Sequence, residues 1–141
     1  MKYRVVAVGR VKDAGLRAAC DDYRDRLSHY AKVEEVEVKE EARLPAAIPP
    51  EARLVALSRT GQPWASRDLA VRTERWEQEA RDVAFAIGGA TALPEAVLRR
   101  ADDVWSLSAL TLPHELARLV VLEQLYRAYT IRRGEPYHRG P

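Results

Sequence analysis

Residues 105–114, WSLSALTLPH, set two serines and a threonine where an apolar strand gives way to a helix. The hydroxyls of Ser106, Ser108 and Thr111 can bond backbone groups where a strand ladder ends. Pro113 suits the first position of a helix, where its missing N–H has no partner to lose. For Thr111 taken alone, helix capping is an equal explanation. Capping does not explain small residues across the whole turn. A turn built of Ser, Ala and Thr leaves room, and offers backbone amides, for a flat ligand with polar edges, such as an adenine ring. Two other strand exits stand out: Leu57-Ser58-Arg59-Thr60-Gly61 and Ile87-Gly88-Gly89-Ala90-Thr91. Glycine after a strand lets the backbone approach a ligand closely. In open α/β sheets ligands bind beyond the carboxyl ends of the strands.

Other chemistries lack their residues. The chain has no GxGxxG, no P-loop and no G-x-S-x-G. Its histidines, His29, His114 and His138, are not at metal-ligand spacing, and Cys20 is the single cysteine, so no metal site is expected. His114 opens the last helix beside the candidate ligand turn. His29 falls late in an amphipathic helix and is expected at the surface. His138 lies in the tail RRGEPYHRGP, where Arg132, Arg133, His138 and Arg139 face one acid, Glu135. Such an end fits a phosphate-bearing partner or a solvated tail, and charge alone does not separate the two.

Placing these groups together takes an alternation of strands and helices. Apolar stretches predict strands at 3–8, 53–57, 82–87 and 103–107, and the spaced valines Val33, Val36 and Val38 of an otherwise acidic segment suggest another at 33–38. Apolar positions recurring every three or four residues predict helices from Asp13 to about Ala31 and from Ser66, as N-cap, to about Ala80. Further helices are predicted from Pro94 over PEAVLRRA and from Pro113 to about Tyr129. Residues 42–52, ARLPAAIPPEA, read as a short connection that Pro49-Pro50 keeps from being a helix. SRTGQPW, after the third strand, reads as a loop. The expected fold is α/β, with a mainly parallel sheet covered by helices on both faces, as a single domain over 1–141. The last helix carries Leu116, Leu119, Val120, Val121, Leu122, Leu125, Tyr126 and Tyr129. That arc is wider than one core face needs. Either the helix is fully enclosed or it meets another subunit, and the small core of a chain this size favours the second. Glu123 and Arg127 are spaced for an i,i+4 ion pair.

With 47% hydrophobic and 31% charged residues over 141, the composition is that of a soluble globular protein. No apolar run approaches the roughly 20 residues of a membrane span. The N-terminal apolar run is too short for a secretory signal, and one cysteine fits a reducing cytoplasm. A net charge of +2 does not by itself announce nucleic-acid binding.

IGG at 87–89, WSLSALTLPH at 105–114, LYRAYTI at 125–131 and PYHR at 136–139 resemble the RlmH-type ribosomal RNA methyltransferases of the SPOUT superfamily. KYRVVAVGR at 2–10 and VALSRTGQPW at 55–64 extend the resemblance over nearly the whole chain. It implies a C-terminal deep trefoil knot and a homodimer built on the last helix. It further implies methyl transfer from S-adenosyl-L-methionine to N3 of a pseudouridine in 23S large-subunit ribosomal RNA, on the assembled ribosome. By the matched motifs the cofactor residues are Leu57, Gly88, Leu107, Ser108, Ala109, Leu110, Thr111 and Leu112. His138 becomes the candidate base, with phosphate binding as its alternative role. Arg139 becomes a phosphate or anion contact. Tyr137 stacks on a base, and Arg132, Arg133 and His114 join the substrate contacts. The chain departs from the pattern at 90–94, ATALP, where relatives continue with Pro, an acid, Gly and Leu. It departs again at 42–52, where relatives often carry a helix. A non-catalytic ribosome- or RNA-binding module of the same fold is the alternative, and an unknotted flavodoxin-like nucleotide binder a more distant one.

Overall fold

Apolar strands with both faces buried call for helices on both sides of a parallel sheet. The computed structural model, which describes residues 1–89 and 92–141, has that arrangement. Strands β1 (Lys2–Val8), β2 (Lys32–Val38), β3 (Arg53–Gln62), β4 (Val83–Ile87) and β5 (Asp103–Trp105) form one sheet in the order β2-β1-β4-β3-β5. Every ladder is parallel. Successive side chains of a strand point to opposite faces, and here they feed two cores. Val5, Ala7, Val55, Phe85 and Ile87 lie under helices α1 (Ala14–Leu27), α3 (Ser66–Glu79) and α5 (His114–Arg132). Val6, Val8, Leu54, Ala56, Ala84 and Ala86 face a second layer holding α2 (Leu44–Ala47) and α4 (Glu95–Arg100).

Several boundaries differ from the sequence reading, each for a local reason. The connection at 42–52 is not structureless. A 3₁₀ turn over Glu41–Arg43 leads into α2, which buries Leu44 and, just beyond its end, Ile48. Pro49-Pro50 stops it there. The third strand does not end at Leu57 but runs on to Gln62. Leu57 and Gln62 both pair with Trp105, so 58–61 is a hump in the strand rather than a loop. Gly61 makes that hump possible, because a Cβ there would sit 2.5 Å from the Val104 carbonyl oxygen. The fifth strand ends at Trp105, not Leu107. Ala65, not Ser66, caps α3, its N–H donating to Asp68 Oδ2 at 2.8 Å, while the Ser66 hydroxyl donates to Gln124 Oε1 on α5. Asp13 does cap α1, accepting from the Leu16 amide at 2.9 Å, but that helix stops at Leu27. Helix α5 reaches Arg132, about one turn further than expected.

The wide apolar arc of α5 has a first explanation within one protomer. The chain leaves β5 at the sheet edge and returns, so that α5 packs between α1 and α3 and over β1 and β4. Ala117, Val121, Leu122, Leu125, Ala128 and Tyr129 are buried there, while Leu116 and Val120 remain half-buried.

Polar groups fix α5 at two points. The Arg118 guanidinium is fully buried. It donates to Glu37 Oε2 at 2.6 Å and to the Gly9 carbonyl at 2.8 Å, and lies 3.3 Å from Glu35 Oε1. Glu35, with a side chain 6% exposed, also pairs with Arg17 at 2.7 Å and Arg24 at 2.9 Å. At the other end Tyr3, Tyr129 and Glu77 form a hydrogen-bonded chain, with Tyr129 donating to Glu77 Oε1 at 2.6 Å. Arg132, 2.7 Å from Glu77 Oε2, chiefly holds that carboxyl below the usual carboxylate range. Burial pushes the Tyr3 and Tyr129 hydroxyls well above theirs.

Candidate active site

The carboxyl ends of β3, β4 and β5 enclose a cavity of about 490 Å³, within the range of small-molecule sites, ~300–1,000 Å³. The β3 hump contributes Leu57, Ser58, Arg59 and Thr60, and the β4 exit contributes Ile87, Gly88 and Gly89. The β5 exit contributes Trp105, Leu107, Ser108, Leu110, Thr111 and Leu112, and α5 adds His114 and Ala117. Ala90 and Thr91 of the altered ATALP segment lie outside the described residues.

Serine hydroxyls shape the 105–112 turn. Ser106 Oγ lies 3.1 Å from the Arg59 carbonyl and 3.0 Å from the Ser108 carbonyl, which ties the turn to the β3 hump. Ser108 Oγ accepts from the Leu110 amide at 3.0 Å. Thr111 makes neither bond and caps nothing, since Pro113 is the N-cap of α5 without a side-chain bond. Capping is therefore not its role; it lines the cavity. The amides of Leu107, Ala109, Thr111 and Leu112 have no hydrogen-bond partner among the described residues. Unpaired backbone donors are costly unless solvent or a ligand meets them. The bend is thus a row of donors awaiting acceptors. Gly89 stays small because a Cβ there would press on Val8 and the Glu41 carboxylate at 3.1 Å.

Of the residues read as cofactor contacts, Leu57, Gly88, Leu107, Ser108, Leu110, Thr111 and Leu112 line the cavity, and so does His114. Ala109 does not, and is exposed. Tyr137, His138, Arg139, Arg132 and Arg133 do not line it either. They gather at the opposite end of α5, about 20 Å along the axis at 1.5 Å per residue between His114 and Arg127.

There the tail folds back on its own protomer. Tyr137 Oη lies 2.8 Å from Tyr23 Oη and donates to Glu123 Oε2 at 2.7 Å. Burial, then these two bonds, pushes its hydroxyl well above the ordinary tyrosine range. Arg127 lies 2.7 Å from Glu123 Oε2, with its guanidinium over the Tyr137 ring, and reaches His138 Nδ1 at 3.0 Å. Arg132 is held by Glu77, and Arg133 sits over the Tyr30 ring. Arg139 is exposed. By sequence Glu123 and Arg127 are only a helix pair, and Tyr23 is only an apolar position of the first helix. Their role in holding the tail depends on a chain reversal that no local pattern encodes. Arg59, Thr60 and Trp105 also line the cavity, as their place in two of the expected ligand-side strand exits allows, although no individual contact was assigned to them.

Tyr30 donates to Glu135 Oε2 at 2.6 Å, and chiefly this bond pushes its hydroxyl from 10.0 to about 12. A raised acid favours the fold while protonated, so this tail contact is intact below pH 10 and is lost as pH rises towards about 12. Release of the tail over that window, read from the fluorescence of a dye on a cysteine placed at residue 140, is the expected result. Tyr30→Phe should abolish the alkaline transition.

The comparisons agree with this geometry. The family model described as predicted SPOUT methyltransferase matches residues 1–138. A relative from Anaeromyxobacter sp. (strain Fw109-5), named ribosomal RNA large subunit methyltransferase H, is 46% identical over 99% of this chain and 100% of its own length. Among solved structures, a probable methyltransferase from Bordetella pertussis Tohama I superposes with a TM-score of 0.64. It has 14% identity and covers 91% of this chain and 94% of its own. The SpoU methyltransferase AviRb from Streptomyces viridochromogenes, in complex with the cofactor AdoMet, superposes at 0.50 with 16% identity, over 95% of this chain and 61% of its own. With a sheet of this order, a cavity-lining bend over its carboxyl ends and a family match along almost its entire length, the chain belongs to the SPOUT methyltransferase family.

Proposed function

We propose that the protein transfers a methyl group from S-adenosyl-L-methionine to N3 of a pseudouridine in 23S ribosomal RNA, on the assembled ribosome, as a cytoplasmic homodimer. The observation that carries this reading is the 107–112 bend, where Leu107, Thr111 and Leu112 line a cavity bounded by two further strand exits and their amides have no partner among the described residues. That wall fits an adenosyl group: donors for its ring nitrogens and ribose oxygens, and Leu57, Leu107 and Leu112 for its faces. When bound, the cofactor supplies a methyl group already activated as a sulfonium. The bend, the Gly88–Gly89 exit and Leu57 hold the nucleoside and fix the approach direction. Such orientation can be worth ~7–11 kcal/mol.

The target N3–H must lose its proton, and a group that takes it or stabilises the anion adds about 10²–10⁴-fold. His138 and Arg139 are the tail groups for this demand. Tyr137 stacks on a base, and Arg132, Arg133 and His114 contact the RNA. Because tail and cavity sit at opposite ends of α5 in one protomer, a second copy supplies the tail to each cavity. Half-buried Leu116 and Val120 on α5 and Leu110, 72% exposed on the bend, support an apolar contact between copies. The knot belongs to the same reading. After the edge strand β5 the chain crosses the exits of β3 and β4, with which it lines the cavity, before α5 packs over β1 and β4. The name of the Anaeromyxobacter relative and the cofactor of the AviRb complex support the substrate and the methyl donor.

Incubating the protein with ribosomes lacking the modification and methyl-labelled S-adenosylmethionine tests the reading. Mass spectrometry of the digested RNA should place one label on a pseudouridine base of the large-subunit RNA. Cofactor binding by calorimetry without any transfer would instead support a non-catalytic ribosome-binding module.

A further inference from the structure

The tail histidine is held by two contacts that leave its ring one arrangement of protons. Arg127 Nη1 lies 3.0 Å from His138 Nδ1. Arginine has five N–H donors and no acceptor, so Nδ1 must present its lone pair. At the other nitrogen, Nε2 lies 3.2 Å from the backbone oxygen of Pro141. An oxygen of that kind only accepts, so Nε2 must carry the hydrogen. The two partners act independently and agree. Arg127 is itself fixed by Glu123, at 2.7 Å through Nη2 and 3.1 Å through Nε, and Glu123 also receives the Tyr137 hydroxyl.

From this geometry we infer that Glu123 and Arg127 are positioning residues that lock His138 as the Nε2–H tautomer, so that it serves methyl transfer as a hydrogen-bond donor to a substrate oxygen and not as a base. The inference rests on the methyltransferase reading and sharpens one role within it. With the Nδ1 lone pair occupied by Arg127 and Nε2 protonated, the ring has no free lone pair to receive the N3 proton. A donor at Nε2 can exchange the Pro141 oxygen for a carbonyl oxygen of the target base, where negative charge collects as N3 is deprotonated. Oriented donors at such an oxygen are worth about 10²–10³-fold. The proton itself then leaves to solvent or to the RNA, and Arg139 adds positive charge beside the anion.

Nitrogen NMR on the full-length protein with ¹⁵N-labelled histidine reads the tautomer directly. The His138 signals are assigned by their loss in His138→Gln. At neutral pH, Nδ1 should resonate as a bare, pyridine-like nitrogen and Nε2 as a protonated, pyrrole-like one. Arg127→Lys, still a donor without an acceptor, should keep that pattern, whereas Arg127→Met should give a mixture. A protonated Nδ1 in the wild type, or an unchanged spectrum in Arg127→Met, overturns the inference. A glutamine amide can donate from nearly the position of Nε2 but cannot act as a base. His138→Gln should therefore retain at least about tenfold more transfer than His138→Ala, which loses about 10²-fold or more. Equal losses in the two variants overturn it as well. If the wild type transfers no methyl group, the functional reading fails, and the nitrogen spectrum still decides the tautomer.

Discussion

Arg118→Ala should destabilise the protein by ~3–5 kcal/mol, the usual cost of leaving one partner of a buried ion pair without the other. The side chain is fully enclosed, and its guanidinium joins three elements: Glu35 and Glu37 on β2, the Gly9 carbonyl at the β1 exit, and α5 itself. Alanine leaves a cavity, an unmet carbonyl and a Glu35 carboxylate that keeps only Arg17 and Arg24. Equilibrium urea denaturation followed by far-UV circular dichroism measures the loss. Adding Glu35→Gln to the same variant should recover part of it, because the charge that lost a partner is then gone. A loss under about 1 kcal/mol would place the network in the class of surface pairs, which contribute 0–1 kcal/mol.

Gly61→Ala should cost both stability and cofactor binding. The added methyl group would stand 2.5 Å from the Val104 oxygen, 2.7 Å from its carbonyl carbon and 2.9 Å from the Trp105 nitrogen. All three atoms are backbone, so no side chain can swing aside. The β3 hump must part from β5, a strand of three residues. Overpacking of this kind costs ~1–3 kcal/mol. The same movement shifts Ser58 to Thr60 and the 105–112 bend, which face each other across the cavity and are tied through Ser106. Affinity for S-adenosylmethionine should fall by about tenfold or more, since a misfit of only ~1.4 kcal/mol suffices for that factor. Calorimetry reads the affinity and urea denaturation the stability. Unchanged values for both would mean that the two strands separate freely.

The contrast between these sites and the opening motif explains what could be read from the residues alone. Apolar runs located β1, β3 and β4, because burial on two faces leaves a local signature, while the half-buried β2 showed only as valines spaced among glutamates; amphipathic repeats located every long helix. The WSLSALTLPH turn was legible for a similar reason: small residues and hydroxyls in one short segment. Its threonine was ambiguous, since a cap and a cavity wall use the same side chain. The hump at 58–61 looked like a loop because Gly61 and Pro63 are turn formers, whereas its pairing with Trp105 depends on a strand more than 40 residues later. Arg118 gave no signal, because the burial of one arginine within a helix depends on partners in β2 and at the β1 exit that lie about 80 or more residues earlier. The reversal of the tail onto Tyr23, Glu123 and Arg127 was illegible too, because Gly134 permits it with φ +66° but nothing nearby specifies where the chain goes next.

The position of β4 between β1 and β3 has a kinetic consequence. Tyr3 pairs with Val33 on one side and with Val83 on the other, so the first strand made during synthesis waits for the fourth to cover its second edge. Contacts so distant along the chain slow folding through the entropy of closing long loops. Until Val83–Ile87 emerges, the nascent polypeptide carries Val5, Val6 and Ala7 on an open, apolar edge, the kind of surface that chaperones shield and that aggregates recruit.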